Sequence, residues 1–162
     1  MKLNQKVADA LNEQINSEWN AAYIYLAMSA YFDDLEFHGI ATWMRGHAQE
    51  ETQHAQRIYD FVVARGYKPE FSGLAKPNSE FESPAAAMKA ALEHEEAVTR
   101  QIYSLFELAN SEKEYSTQTM LNWFLTEQVE EEDLFRSMLK KVEAASESMW
   151  HMFALDKELG SD

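Results

Sequence analysis

Four stretches of this chain carry apolar residues at alternating three- and four-residue spacing, and each is broken near its middle by side chains that a buried seam ordinarily rejects. The first seam reads Val7, Leu11, Ile15, Glu18, Ala22, Tyr25, Ser29, Phe32. The second reads Ile40, Met44, His47, Glu51, His54, Ile58, Phe61. The third reads Met88, Leu92, Glu95, Thr99, Ile102, Phe106, and the fourth Thr117, Leu121, Phe124, Gln128, Glu131, Phe135, Met138, Val142. That spacing is the inward stripe of an amphipathic helix. It predicts an all-α chain with helices over about 4–33, 38–65, 84–110 and 115–144. A short amphipathic segment over about 148–159 makes a fifth.

The breaks give the connectivity. Short turns near 33–38 and 110–115 join antiparallel neighbours. Ser83-Pro84 supplies an N-cap followed by Pro at the first helical position. The link over 66–83 holds Pro69, Gly73 and Pro77 and is far longer. A helix of about 28 residues is roughly 42 Å long, and an extended link of about 18 residues reaches roughly 60 Å. The link can therefore run the bundle's length, leaving the second and third helices parallel in a ferritin-like four-helix bundle with one long crossover. Length supports this as one domain over 1–162: 162 residues, with only five Gly and three Pro, suit a single helical core.

Composition then removes whole classes of chemistry. With no cysteine, thiolate zinc sites, iron–sulfur centres and a rubredoxin-like appendage are excluded. A net charge of −14 opposes binding to nucleic acid, suits a protein that gathers cations, and also serves plain solubility. The N-terminal stretch MKLNQKVADALNEQ lacks a signal-peptide core, and no apolar run is long enough to span a membrane. A cytoplasmic protein without nucleic-acid or membrane partners is the expectation.

What remains is the polar belt. Glu18, Glu51 with His54, Glu95, and Gln128 with Glu131 converge at one height once the hairpins fold. Burying several carboxylates without compensation costs several kcal/mol each. They must share protons or surround a cation. Glu51 and His54 stand three apart, so both project toward one point, and Gln128 and Glu131 repeat that geometry. One Glu from each of two helices plus an i, i+3 pair from each of the others is the di-metal carboxylate arrangement. Hard oxygen donors with one imidazole suit iron or manganese.

The strings Asn16-Ser17-Glu18, His47-Ala48-Gln49-Glu50-Glu51-Thr52-Gln53-His54, Glu95-Glu96-Ala97-Val98-Thr99 and Glu127-Gln128-Val129-Glu130-Glu131-Glu132 closely resemble bacterial and archaeal non-haem ferritins. The resemblance runs to Asp156-Lys157-Glu158-Leu159, essentially the whole chain. It implies that Glu18, Glu51 and His54 are ligands of a first iron, with Glu51 bridging. It implies Glu95 and Glu131 as ligands of the second, with Gln128 beside it. Glu50, Glu127 and Glu130 match a third iron position; Glu132 and Asp133 stay a solvated face. Tyr25 matches a family tyrosine that donates an electron or a hydrogen bond, or else is a core aromatic. Trp123 matches an aromatic that packs near the site. His47 is either a partner behind Glu51 or a satisfied core histidine. His38, His94 and His151 receive no role.

The resemblance further implies a ferroxidase: Fe(II) oxidised by dioxygen or hydrogen peroxide, the ferric product stored as mineral inside a homo-oligomeric shell of twenty-four subunits, with the fifth helix at the four-fold axes. Bacterioferritins and many di-iron oxidases carry two Glu-x-x-His pairs, whereas Gln128-x-x-Glu131 lacks the second imidazole. A weaker second position suits iron in transit. Bacterioferritins ligate haem through a methionine after the bridging glutamate; that place is Thr52, so no haem is expected. Mini-ferritins assemble their ligands across an interface, and this chain supplies a set alone. Two alternatives stand beside storage: a discrete di-iron oxidase or peroxidase that stores nothing, and a non-enzymatic bundle whose carboxylates share protons.

Overall fold

The structure, a computed structural model, describes residues 2–160. Its elements are α1 (Gln5–Asp34), α2 (His38–Ala64), α3 (Pro84–Ser111), α4 (Tyr115–Ala145) and α5 (Met149–Leu159), with no strand among the described residues. The start of α1 is fixed by Asn4, whose side chain accepts from the backbone N–H of Lys6 and Val7. Ser83 does the same for α3, accepting from the Ala86 N–H at 3.1 Å ahead of Pro84. Both caps satisfy N–H groups left without partners in the first helical turn.

The α1–α2 and α3–α4 turns are three residues long and each uses a left-handed residue, Glu36 at φ 64° and Lys113 at φ 56°. Gly66 at φ 76° ends α2 in the conformation glycine adopts most easily. The far ends of α2 and α3 meet at one end of the bundle. Arg65 bridges to Glu114 at 2.9 Å, and Asn4 donates to both Glu112 and Glu114. That shared end makes α2 and α3 parallel. The crossover between them lies along α1 on a ladder of asparagines. Asn12 both donates to and accepts from the Glu70 backbone, Asn16 donates to Glu70 and accepts from Ser72, and Asn20 accepts from Ala75.

Asp156 of α5 accepts the Ile40 N–H at 2.8 Å, capping α2 from a distance because Phe37 offers no side-chain cap. The core falls into two clusters. One surrounds Phe32, Met44, Met88, Phe135 and Met138 and reaches Met152 and Leu155 of α5. The other surrounds Val7, Leu11, Ile15, Ile58, Ile102, Leu121 and Phe124. Between them lies the polar belt.

Candidate metal centre

Helical spacing puts one inward side chain per turn on each helix at the level where the two apolar clusters part. Glu18, Glu51, His54, Glu95, Gln128 and Glu131 are all at least nine-tenths buried. The structure brings them together: Glu51 is grouped with Glu18 and His54 and feels the charges of Glu95 and Glu131, and Gln128 bonds Glu95.

Glu18, Glu51 and His54 form one group, with a ligand atom from each within 4.8 Å of the others. Nδ1 of His54 is 3.2 Å from Oε2 of Glu51. The His54 ring is held edge-on by Trp123 at 5.4 Å and Phe124 at 5.9 Å, and the Arg57 guanidinium covers the indole at 4.2 Å. Trp123 thus packs where the sequence set it. Oε1 of Glu18 accepts from Gln14 at 2.8 Å, while its Oε2 is buried without a nitrogen or hydroxyl donor and the Glu51 carboxyl lies within hydrogen-bonding reach of Glu18. Gln14, itself 4% exposed, lies off the seam spacing that marks the belt. Its signal was the (i, i+4) spacing to Glu18.

On the opposite side Glu95 is gripped at both oxygens. The Tyr25 hydroxyl donates to Oε1, and the Gln128 amide donates to Oε2 at 3.1 Å. The same amide reaches the Glu95 carbonyl and Thr99 at 3.3 Å. Gln128 therefore orients Glu95 through its nitrogen and keeps only Oε1 as a possible ligand atom. Tyr25 is fully buried, stacked on Phe135 at 5.4 Å, so it is both a core aromatic and a hydrogen-bond donor to the belt.

Glu131 leads into a second group. Its Oε2 is buried without a hydrogen-bond partner and faces Nδ1 of His47 at 3.5 Å. The same Nδ1 is 3.0 Å from Oε2 of Glu50. Of the residues matched to a third iron position, Glu50 and Glu130 are exposed and Glu127 is half-buried. The group within ligand distance here is His47, Glu50 and Glu131. Glu132 accepts from Thr99 at 2.7 Å and pairs with Arg136. His94, beside the belt, has its Nε2 buried and its ring edge-on to Tyr25.

Electrostatics follow from burial. Loss of solvent, then the neighbouring Glu51 charge, raises Glu18 well above the carboxylate range. Burial and then the Glu95 charge raise Glu51 likewise. Glu131 is pushed up to about 8 by burial, then by Glu95 and Glu50. Tyr25 is raised far above 10 by burial and by Glu95, which keeps it a neutral donor. Hydrogen bonding to His47 lowers Glu50. Without a cation, the belt holds protons. Two buried carboxylate oxygens without partners, among donors set at ligand spacing, are what a bound cation would satisfy.

A family profile, Ferritin, a ferritin-like domain, matches residues 8–145. Bacterial non-heme ferritins of Staphylococcus haemolyticus and Staphylococcus aureus are each 38% identical over 159 residues, covering 98% of this chain and 96% of the relative. Among solved structures, an open pore ferritin from the hyperthermophilic archaeon Archaeoglobus fulgidus superposes with a TM-score of 0.96 at 40% identity, covering 98% of both chains. A humanized archaeal ferritin matches with the same TM-score at 42% identity and the same coverage.

Proposed function

The chain belongs to the ferritin family, and from that membership and the belt of buried carboxylates we propose that it takes up Fe(II), oxidises it between its four helices and stores the product. One observation carries the reading. Glu18, Glu51 and His54 present ligand atoms within 4.8 Å, and an unpartnered oxygen of Glu18 lies buried beside them. In the metal-free belt that oxygen can be satisfied only by a proton shared with the Glu51 carboxyl, a role a divalent cation takes over.

Glu18, Glu51 and His54 hold the first Fe(II), with Glu51 reaching across to the second. Glu95 and Glu131 hold the second Fe(II), with Gln128 and Tyr25 fixing the Glu95 carboxylate. Glu127 and Glu130, with Glu50, supply a third, more exposed position. The two Fe(II) ions give up one electron each. Those two electrons and two protons reduce dioxygen to hydrogen peroxide, or hydrogen peroxide to two waters. Protons released from Glu18, Glu51 and Glu131 on metal binding are available nearby, because burial keeps these groups protonated beforehand.

The second position has no imidazole, so it binds iron less tightly and passes it on. The ferric product collects as a hydrated oxide inside a twenty-four-subunit shell. Support for assembly comes from α5, where Met149, Trp150 and Phe153 expose apolar surface that a lone bundle has no use for. No helix among the described residues is long and apolar enough to cross a membrane; a cytoplasmic location is part of the proposal.

Anaerobic addition of Fe(II) followed by air tests the reading. Ferric absorbance is expected to rise within seconds and to be lost in Glu51→Ala. Unchanged oxidation in that variant would mean the belt is not the site. Two equally tight, retained irons in a small oligomer would instead favour a discrete di-iron oxidase.

A further inference from the structure

Glu18 meets an amide from its own helix. Gln14 stands one turn before it on α1, and its Nε2 donates to Glu18 Oε1 at 2.8 Å. Both side chains are buried, Gln14 at 4% exposure and Glu18 at 1%. Gln14 nonetheless has another place to go. It lines a cavity of about 520 Å³ between α1 and α3, together with Ala10, Ser17, Ala97 and Arg100. An amide extended into that space would keep its contact with water; here it turns inward and gives a donor to a buried carboxyl. Packing does not ask for that choice, since the side chain borders an opening rather than filling the core.

The other carboxylate held by a glutamine is treated differently. Glu95 accepts from Tyr25 on Oε1 and from the Gln128 amide on Oε2 at 3.1 Å, so a donor occupies each oxygen. Glu18 is held by an amide on one oxygen only. Its Oε2 meets no nitrogen or hydroxyl donor, and the carboxylate offers a ligand atom within 4.8 Å of those of Glu51 and His54. A carboxylate oxygen that already accepts a hydrogen bond is turned toward its donor and is the poorer metal ligand of the two. The amide therefore sorts the two oxygens, keeping Oε1 back and leaving Oε2 to the cation.

We propose that Gln14 is a positioning residue for the oxidation: it makes Glu18 a one-oxygen ligand and so keeps a coordination position open for the oxidant. Carboxylates bind a cation through one oxygen or both, and the mode sets how many positions remain. With one oxygen from Glu18, one from Glu51 and one nitrogen from His54, an ion that takes about six donors keeps places for water and for dioxygen or hydrogen peroxide. Freed from the amide, Glu18 rotates to chelate through both oxygens and fills one of those places. Binding of Fe(II) then survives while its oxidation slows. The inference rests on the ferroxidase reading, because it concerns the same first iron.

Gln14→Met matches the side chain in length without a donor, and Gln14→Asn keeps an amide too short to reach Glu18. In assembled Gln14→Met the maximal rate of Fe(II) oxidation should fall about 10-fold, with no rise in the Fe(II) concentration that half-saturates it. A merely structural role would weaken binding as well. Co(II) gives a readout without turnover. Its visible d–d bands weaken as one more donor joins, so Co(II)-loaded Gln14→Met should absorb less per bound ion than the wild type. Crystals soaked in Co(II) should show Glu18 on one oxygen in the wild type and on both in Gln14→Met. Gln14→Asn should behave as Gln14→Met does, and it carries the test if Gln14→Met does not assemble. A wild-type ion held by both Glu18 oxygens overturns the proposal, as does an unchanged rate or weakened Fe(II) binding in the variants. A wild-type crystal with no ion at Glu18, Glu51 and His54 defeats the reading of the site itself, and this proposal with it.

Discussion

At the scale of single residues, the belt is governed by which oxygens are already held. Glu95 has a donor on each oxygen, Tyr25 on one and Gln128 on the other, whereas Glu18 Oε2 meets no nitrogen or hydroxyl donor and Glu131 Oε2 faces only His47 at 3.5 Å. Tyr25→Phe removes a donor without changing ring packing on Phe135. The Glu95 carboxylate can then rotate, and partners of this kind are worth roughly 10–100-fold in metal affinity or activity. The initial rate of Fe(II) oxidation should fall about 10-fold by stopped-flow, with Fe(II) binding at Glu18, Glu51 and His54 unchanged. A variant that keeps more than half its rate would reduce Tyr25 to a core aromatic. Glu131 carries a second prediction. Its folded-state value of about 8 lies above the unfolded carboxylate range near 4.3. Between those limits the folded chain holds a proton that the unfolded chain has lost. Its contribution is therefore complete below about pH 4.3 and is lost as pH rises toward 8. Glu18 and Glu51 shift the same way. Metal-free protein should show a lower Tm at pH 8 than at pH 6, and Glu131→Gln should flatten that slope. Equal slopes in the two proteins would remove Glu131 as a cause.

The elements are held by contacts of two kinds, and only one is visible in the sequence. The belt and seams were legible because buried positions recur with the helical period; every residue of the first and fourth seams is buried. Along α2 and α3 the count drifts. Val62 is buried where the seam had Phe61, and Val98 and Leu105 are buried while Leu92 and Phe106 are only partly so. A strict three-four alternation averages 3.5 residues per turn against 3.6 for the helix, and so wanders off the face. Contacts across the fold left no such trace. Asn12, Asn16 and Asn20 read as an ordinary polar face, and only the structure shows the crossover lying on them. Asn16→Ala loses the bonds to Glu70 and Ser72, which should cost about 1 kcal/mol. Faster amide exchange confined to 69–76 would show it, and unaltered exchange would contradict it. Gly39 was equally silent. A Cβ there would stand 1.8 Å from the Asp156 carbonyl oxygen, a backbone atom that cannot swing aside. Gly39→Ala should therefore lift α5 from α2 and break the Asp156 cap on Ile40. Limited proteolysis should then cut between 146 and 160, where the parent resists; equal resistance would show that α5 adapts.

For the whole molecule, the belt divides the apolar core into two clusters, so continuous packing is interrupted at the level of the proposed cation site. The four-helix plan with its crossover and short last helix could be anticipated, since seam period, turn lengths and link length all agree. The His47 group could not, because it depends on how α2 and α4 are turned against each other. Assembly is the remaining level, and it concerns α5. This helix buries Met152 and Leu155 against the bundle while leaving Trp150 82% and Met149 65% exposed. An apolar face on both sides of an 11-residue helix is accounted for when one side meets its own bundle and the other meets a neighbouring copy. Placing charge there should separate oxidation from storage, since under the proposed function oxidation needs only one chain's belt while a mineral would need an enclosure. Met149→Glu with Trp150→Glu adds two negative charges to a chain that already carries −14. Repulsion and lost apolar contact should shift the protein to small oligomers by size-exclusion chromatography with light scattering. Those species should still oxidise Fe(II) at a rate within about 3-fold of the parent, equivalent to no more than about 0.65 kcal/mol in the barrier. The ferric product, with no cavity to grow in, should then precipitate rather than co-elute with protein. Iron that stays with a small oligomer after gel filtration would show that this chain holds its product without a shell.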